Sequence, residues 1–185
     1  MSEAIAYGTF DAFLVGEQDS PCRHEFVGLR TYAMAGGSER HDLAAGLLYE
    51  ALAPAARSAG CRPFTSNRLV RTRTDDGYYP DVMVVCGPAP HRLYETDPCL
   101  IVEVLSPSTS SVDRREKAVA YAHASTLQFL LLVDPDTRRI EAARPSGGQI
   151  GSWSVYGSGH VVPTDFGPID VDVLYDALDA TATTS

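Results

Sequence analysis

Residues 78–122 read YYPDVMVVCGPAPHRLYETDPCLIVEVLSPSTSSVDRREKAVAYA. Three charged residues are conspicuous in it. Asp81 follows a proline at the head of an apolar run, Glu103 sits inside LIVEVL, and Lys117 is the only lysine among 15 basic residues. Val82, Val84 and Val85 are β-branched and mark residues 78–86 as a strand. Pro80 holds the chain extended as it enters that strand. CLIVEVL (99–105) is the next strand, and residues 112–124 form a helix with Val112, Lys117, Val119 and Tyr121 along it.

Upstream, RPFTSNRLVRTR (62–73) is a strand that turns at TDDG (74–77). Before it, Ser38 is placed to cap a helix over ERHDLAAGLLYEALAPAARSAG. Leu43, Leu47 and Ala51 lie on one stripe of this helix, Pro54 is a point of kinking or division, and Gly60 ends it. Residues 9–35 hold a short helix, TFDAFLVGE, and then an alternating strand pair, HEFVGLRTYAMAG. Downstream, LQFLLLVDP (127–135) is almost wholly apolar and reads as a central strand. RRIEAARP (138–145) pairs with it across Pro135–Asp136, Trp153–Tyr156 is an edge strand, and VDVLYDAL is a short helix. Residues 1–10 and 179–185 read as frayed termini. Helix, three strands, helix, strand, with additions at both ends, gives a mixed α/β fold of the α+β type, with helices packed on a twisted sheet. Residues 1–185 form one domain, with its core over about 38–145.

A chain of 185 residues with 44% hydrophobic content buries a substantial core without disulfides. A net charge of −9 argues against a protein that coats nucleic acid nonspecifically, but leaves room for a local arginine-lined cleft. Cys22, Cys61, Cys86 and Cys99 show no CxxC spacing, which argues against structural zinc. Cys86 and Cys99 are expected to act as small buried hydrophobes. There is no signal peptide and no apolar run near ~18 residues, so the expectation is a cytoplasmic protein without a membrane segment.

Glu103 has two structural readings: the outward partner on a half-buried strand, or a buried acid paired with an arginine. A third reading takes it with Asp81. If their strands are neighbours, the two carboxylates meet at one sheet edge, where they repel unless a cation lies between them. Mg²⁺ takes one or two carboxylates and completes its shell with water and phosphate oxygens. Lys117, one helix later, would then orient or deprotonate the attacking water, or counter developing charge. An amine can lose its proton near neutral pH and a guanidinium cannot, which gives a reason for one lysine in an arginine-rich chain. Chance retention of a surface lysine is the alternative.

The segments HEFVGLRTYAMAGGSERH, YYPDVMVVC and PCLIVEVLSPSTSSVDRREKAVAYA resemble the Uma family of predicted restriction endonucleases, a branch of the PD-(D/E)XK nuclease superfamily. The resemblance runs over roughly residues 8 to 175. It implies a restriction-endonuclease-like core, helix, three-strand meander, helix and strand. It also implies metal-dependent hydrolysis of DNA, with Asp81 and Glu103 as the two acids and metal ligands and Mg²⁺ (or Mn²⁺) as cofactor. The superfamily pattern wants lysine two residues after the second acid, but that position is Leu105. The resemblance implies that the lysine has moved to Lys117. It also implies an accessory catalytic role for His41 at the start of the first long helix, with a satisfied helix-start histidine as the alternative. Glu25, in HEFVG, is aligned with the family's N-terminal strand entry, although Val27-Gly28-Leu29 replaces the Asp-Gly turn usual there. Asp113 is a helix-start acid suited to the helix dipole.

Arg68, Arg71, Arg73, Arg114 and Arg115 flank the two acids and are candidate DNA contacts, each alone being an ordinary solvated arginine. No base-reading helix is legible. DNA is the expected partner, and two strand cuts need two sites, which a homodimer supplies. The competing function is a nuclease-fold protein that has lost catalysis and serves as a DNA-binding or protein-interaction module. The acidic charge and Leu105 favour that alternative; Asp81, Glu103 and Lys117 favour the enzyme.

Overall fold

The computed structural model describes residues 8–34, 36–106 and 113–182, except the side chains of Asp113, Arg114 and Ala182. The polar connector after Leu105 thus lies largely outside the described residues. In chain order the elements are α1 (Phe10–Gln18), β1 (His24–Val27), β2 (Arg30–Ala33), α2 (Glu39–Ser58), β3 (Arg62–Thr65), β4 (Leu69–Arg71), β5 (Gly77–Tyr78) and β6 (Val82–Val85). They continue with β7 (Tyr94–Glu95), β8 (Leu100–Val104), a π-helical turn (Asp113–Lys117) running into α3 (Ala118–Ala122), β9 (Phe129–Asp134) and β10 (Arg139–Ala143). β11 (Ser154–Tyr156), β12 (Val161–Val162), β13 (Ile169–Asp170) and α4 (Val171–Ala182) complete the fold.

A six-stranded sheet runs β11-β10-β9-β8-β6-β3. Neighbours are antiparallel except β8 and β9, which are parallel and joined through α3. Parallel neighbours need such a crossover, because a tight turn can only reverse the chain. The series α2, β3-β6-β8, α3, β9 is the helix, three-strand meander, helix and strand expected from the sequence. Side chains alternate across this sheet as the strand period requires. Val82, Val84, Leu100, Val102 and Val104 join the core under α2 and α4, whereas Met83, Val85 and Ile101 pack with Tyr121 and Leu130 on the α3 side.

A second sheet, ordered β2-β1-β5-β4-β7, is covered by α1 through Phe10, Phe13, Phe26, Leu69 and Tyr79. It exists because each of the single strands expected over 62–73 and 78–86 is in fact two. β3 and β6 pair in the large sheet and β4 and β5 in the small one. The break at 79–81 contains Pro80, which has no N–H to give to a ladder. Glu95 of β7 ties the sheets together. It is 0% exposed and accepts bonds from Arg62 of β3 at 2.9 Å and from Arg68 at 2.6 Å.

Four further expectations need correction. α2 is not divided at Pro54, which lies on the exposed face of a continuous helix over Glu39–Ser58. The stripe that α2 buries is Ala44, Leu48, Leu52 and Ala56, one position on from Leu43, Leu47 and Ala51. Ala51 is exposed. Cys86 is no buried hydrophobe, since it is exposed and bonded to Cys61. The two cysteines extend the β3–β6 register one step beyond Arg62↔Val85. The C-terminal helix reaches Ala182, so residues 179–182 are helical and not frayed.

Candidate active site

Asp81 stands one residue before β6, and β6 pairs with β8 in the register Val82↔Val102. Continued one step, that register sets Asp81 opposite Glu103. The Asp81 carboxylate turns back onto the neighbouring strand, where its Oδ2 accepts the Val104 N–H at 2.7 Å. The two acids therefore occupy one edge of adjacent strands.

His41 reaches Asp81 from the first turn of α2. Ser38 caps that turn by accepting the His41 N–H, as its sequence position suggests. The imidazole Nε2 lies 3.4 Å from Asp81 Oδ2 and Nδ1 lies 3.3 Å from Asp42 Oδ1. The hydrogen bond to Asp81 raises the His41 pKa to about 9, against an opposing push from burial. That shift favours the protonated ring, whose positive charge faces Asp81.

Glu103 is 3% exposed. Its Oε1 accepts the Tyr121 hydroxyl at 2.7 Å and lies 3.7 Å from Lys117 Nζ. Burial, reinforced by the Glu103 charge, raises the Tyr121 pKa well above its ordinary value and keeps the phenol a donor. The Tyr121 hydroxyl thus serves Glu103. Lys117 is itself buried, on the last residue of the π-helical turn, with its Nζ 2.8 Å from Glu25 Oε1 and 5.8 Å from the centre of the Tyr78 ring. Glu25 comes from β1, in the other sheet, so the lysine bridges two carboxylates held by different sheets.

The acids share a sheet edge but take their partners from opposite sides, Asp81 from α2 and Glu103 from α3. Among the described residues no group of three or more His, Cys, Asp or Glu side chains is gathered closely enough to hold a metal unaided.

The candidate DNA contacts divide. Arg68 is bound to Glu95 and to the carbonyls of His91 and Tyr94, and Arg71 to Asp75, Asp11 and the face of Phe10. Both are turned into the fold, where they tie strands and loops together. Arg73 and Arg115 are exposed. The side chains of Arg114 and Asp113 lie outside the described residues. Sequence position alone did not show that Tyr78 underlies Lys117. The one available signal was its place beside Pro80-Asp81.

A model for a family described as "Putative restriction endonuclease" matches residues 10–170. Among curated proteins, two from Synechocystis sp. (strain ATCC 27184 / PCC 6803 / Kazusa) are similar. "Uncharacterized protein slr1290" is 34% identical over 134 residues, 71% of this chain and 70% of that protein. "Uncharacterized protein sll1609" is 29% identical over 134 residues, 70% of this chain and 76% of that protein. A crystal structure titled as a "putative nuclease belonging to DUF820" from Anabaena variabilis ATCC 29413 superposes with a TM-score of 0.74 at 18% identity, covering 92% of this chain and 98% of that one. At that identity the likeness speaks for the fold, and the fold is the restriction-endonuclease-like one. With the family's model matched from α1 to β13, and this edge of Asp81, Glu103 and Lys117 inside the match, the chain belongs to the Uma2 family.

Proposed function

We propose that this protein is a nuclease that hydrolyses phosphodiester bonds of DNA with a Mg²⁺ or Mn²⁺ ion held by Asp81 and Glu103. Family membership and the nuclease named in the Anabaena structure support the general class. The observation that carries the finer reading is the gathering of two acids and an amine at one edge. Asp81 reaches the residue after Glu103, and Lys117 lies 3.7 Å from Glu103. Two carboxylates with open positions for water and phosphate suit Mg²⁺ or Mn²⁺. Structural zinc, which takes four protein ligands, does not suit them.

When bound, the ion supplies Lewis-acid polarisation of the phosphate and a more acidic water. The chain's own groups do the rest. The Val104 N–H fixes one oxygen of Asp81, and Tyr121 fixes one oxygen of Glu103. In the metal-free protein the His41 imidazolium relieves charge at Asp81. Lys117, oriented by Glu25, is assigned to hold or accept a proton at the attacking water and to counter charge on the phosphate. Leu105 leaves the position two residues after Glu103 without an amine, and Lys117 supplies one from the following helix. A homodimer would bring two such edges to a duplex.

Thermal unfolding in increasing Mn²⁺ tests the site. At a hundredfold excess over its Kd, a single bound ion stabilises the folded state by about 2.7 kcal/mol. The wild type should show this rise, and Asp81→Asn should show none. An unresponsive wild type would leave the inert DNA-binding or protein-interaction module as the better reading.

A further inference from the structure

At the far end of α3 from Lys117, an open cleft of about 440 Å³ lies between the β4–β5 hairpin and the turn that follows β10. Its lining includes Arg73, His123, Ser125, Ser146, Gly147 and Gly148, and no aspartate or glutamate, in a chain of net charge −9. The hairpin's own acids are engaged elsewhere. Asp75 pairs with Arg71, and Asp76 accepts from Gly28 N–H and Thr74. Arg73 meets only the Ser125 hydroxyl, at 3.4 Å, and has no carboxylate partner among the described residues.

The glycines shape the wall. Ser146 and Gln149 exchange backbone bonds across a two-residue turn in which Gly147 and Gly148 have φ of 59° and 78°. Among the described residues the N–H groups of these two glycines have no hydrogen-bond partner. A Cβ on Gly148 would come within 2.9 Å of His123 Nδ1, so only glycine lets this backbone lie against the imidazole. A guanidinium, an imidazole, two hydroxyls and two open backbone donors, with no acid in the lining, are the groups that bind a phosphate oxyanion.

We propose that this cleft binds a phosphate group. Six residues of helix separate Lys117 from His123, about 9 Å. A nucleic acid held at the two acids and running along α3 would bring a phosphate of a nearby nucleotide here. This nucleic-acid form rests on the nuclease reading; binding of a free phosphate does not.

The test uses the full chain and two probes. Inorganic phosphate is titrated while the His123 imidazole is followed by NMR. A short DNA duplex is titrated in Ca²⁺, with anisotropy read at several salt concentrations. Phosphate should shift the His123 signals saturably in the wild type and fail to do so in Arg73→Gln. Gly148→Ala keeps both basic groups but crowds His123, and should also abolish the response. If the backbone of DNA is the source, Arg73→Gln should reduce the slope of log affinity against log salt by about one. A phosphate response with an unchanged duplex slope assigns the cleft to a free phosphate or phosphate monoester. No response to phosphate and no change of slope overturns the proposal. A wild type that binds duplex through the cleft yet cuts nothing leaves the cleft standing and removes the nuclease reading.

Discussion

Glu103 and Tyr121 show how much one buried hydrogen bond decides. A carboxylate in an apolar strand is tolerable only when its oxygens are satisfied, and the Tyr121 hydroxyl satisfies one of them at 2.7 Å. Tyr121→Phe keeps the ring that packs on Tyr78 but removes that donor. It should destabilise the protein by about 1–3 kcal/mol in urea denaturation, and an unchanged midpoint would show that Glu103 does not depend on it. His41 makes a second residue-scale prediction. Its pKa is raised to about 9, chiefly by Asp81, so the stabilisation it gives the metal-free protein is complete below its unfolded value of ~6.5 and is lost as pH rises through about 9. An NMR titration should place His41 near 9 in the metal-free wild type, and Asp81→Asn should bring it down toward ~6.5. A titration unmoved by that substitution would break the pairing. Ser38, and with it the place of His41 in the first turn, was readable from the local sequence. The partner was not, because Asp81 is brought to α2 only by the packing of the sheet.

At the scale of elements, the chain passes from one sheet to the other beside the two acids. β6 delivers Asp81 and β5 delivers Tyr78, with Pro80 at the bend between them. The apolar runs announced strands correctly, yet the division of two runs into four strands was hidden, since a strand's period does not say which sheet receives it. The buried stripe of α2 differed from its expected position by one residue for a related reason. Leu43 and Leu47 do touch the core, but its centre lies against Ala44, Leu48 and Leu52. Glu95 holds this junction of sheets. Glu95→Ala would leave Arg62 and Arg68 without their shared carboxylate and should cost about 3–5 kcal/mol of stability, though Glu95 is no part of the two-acid edge. Chemical denaturation would measure it, and a loss under 1 kcal/mol would mean that the sheets hold together without the clamp. The Cys61–Cys86 bond closes a separation of 25 residues between β3 and β6. Replacing both cysteines by serine should lower stability by about 3 kcal/mol on loop-closure grounds, readable in the same experiment. No CxxC spacing could signal that bond, because the strand register alone brings the two cysteines together.

Across the whole molecule, the acids and the lysine come from one continuous stretch, while Glu25 and His41 arrive from before it. That difference set what could be read in advance. Asp81, Glu103 and Lys117 were visible together in the sequence, and so was Leu105 two residues after the second acid. The 2.8 Å contact between Lys117 and Glu25 depends on the small sheet lying beside α3, which no spacing in the sequence expresses. The acidic surface and the acid-free cleft beyond α3 likewise belong to the assembled molecule, since net charge carries no information about placement. The central claim is that this edge cuts DNA with a divalent ion, and single-turnover cleavage of supercoiled plasmid in Mg²⁺ or Mn²⁺ addresses it directly. Wild type should nick and linearise the plasmid, with no reaction in a chelator. Glu103→Gln should be inactive while still folded, and Lys117→Arg should bind DNA in Ca²⁺ yet lose most of the rate. Metal-dependent cleavage by Glu103→Gln at the wild-type rate would contradict the account.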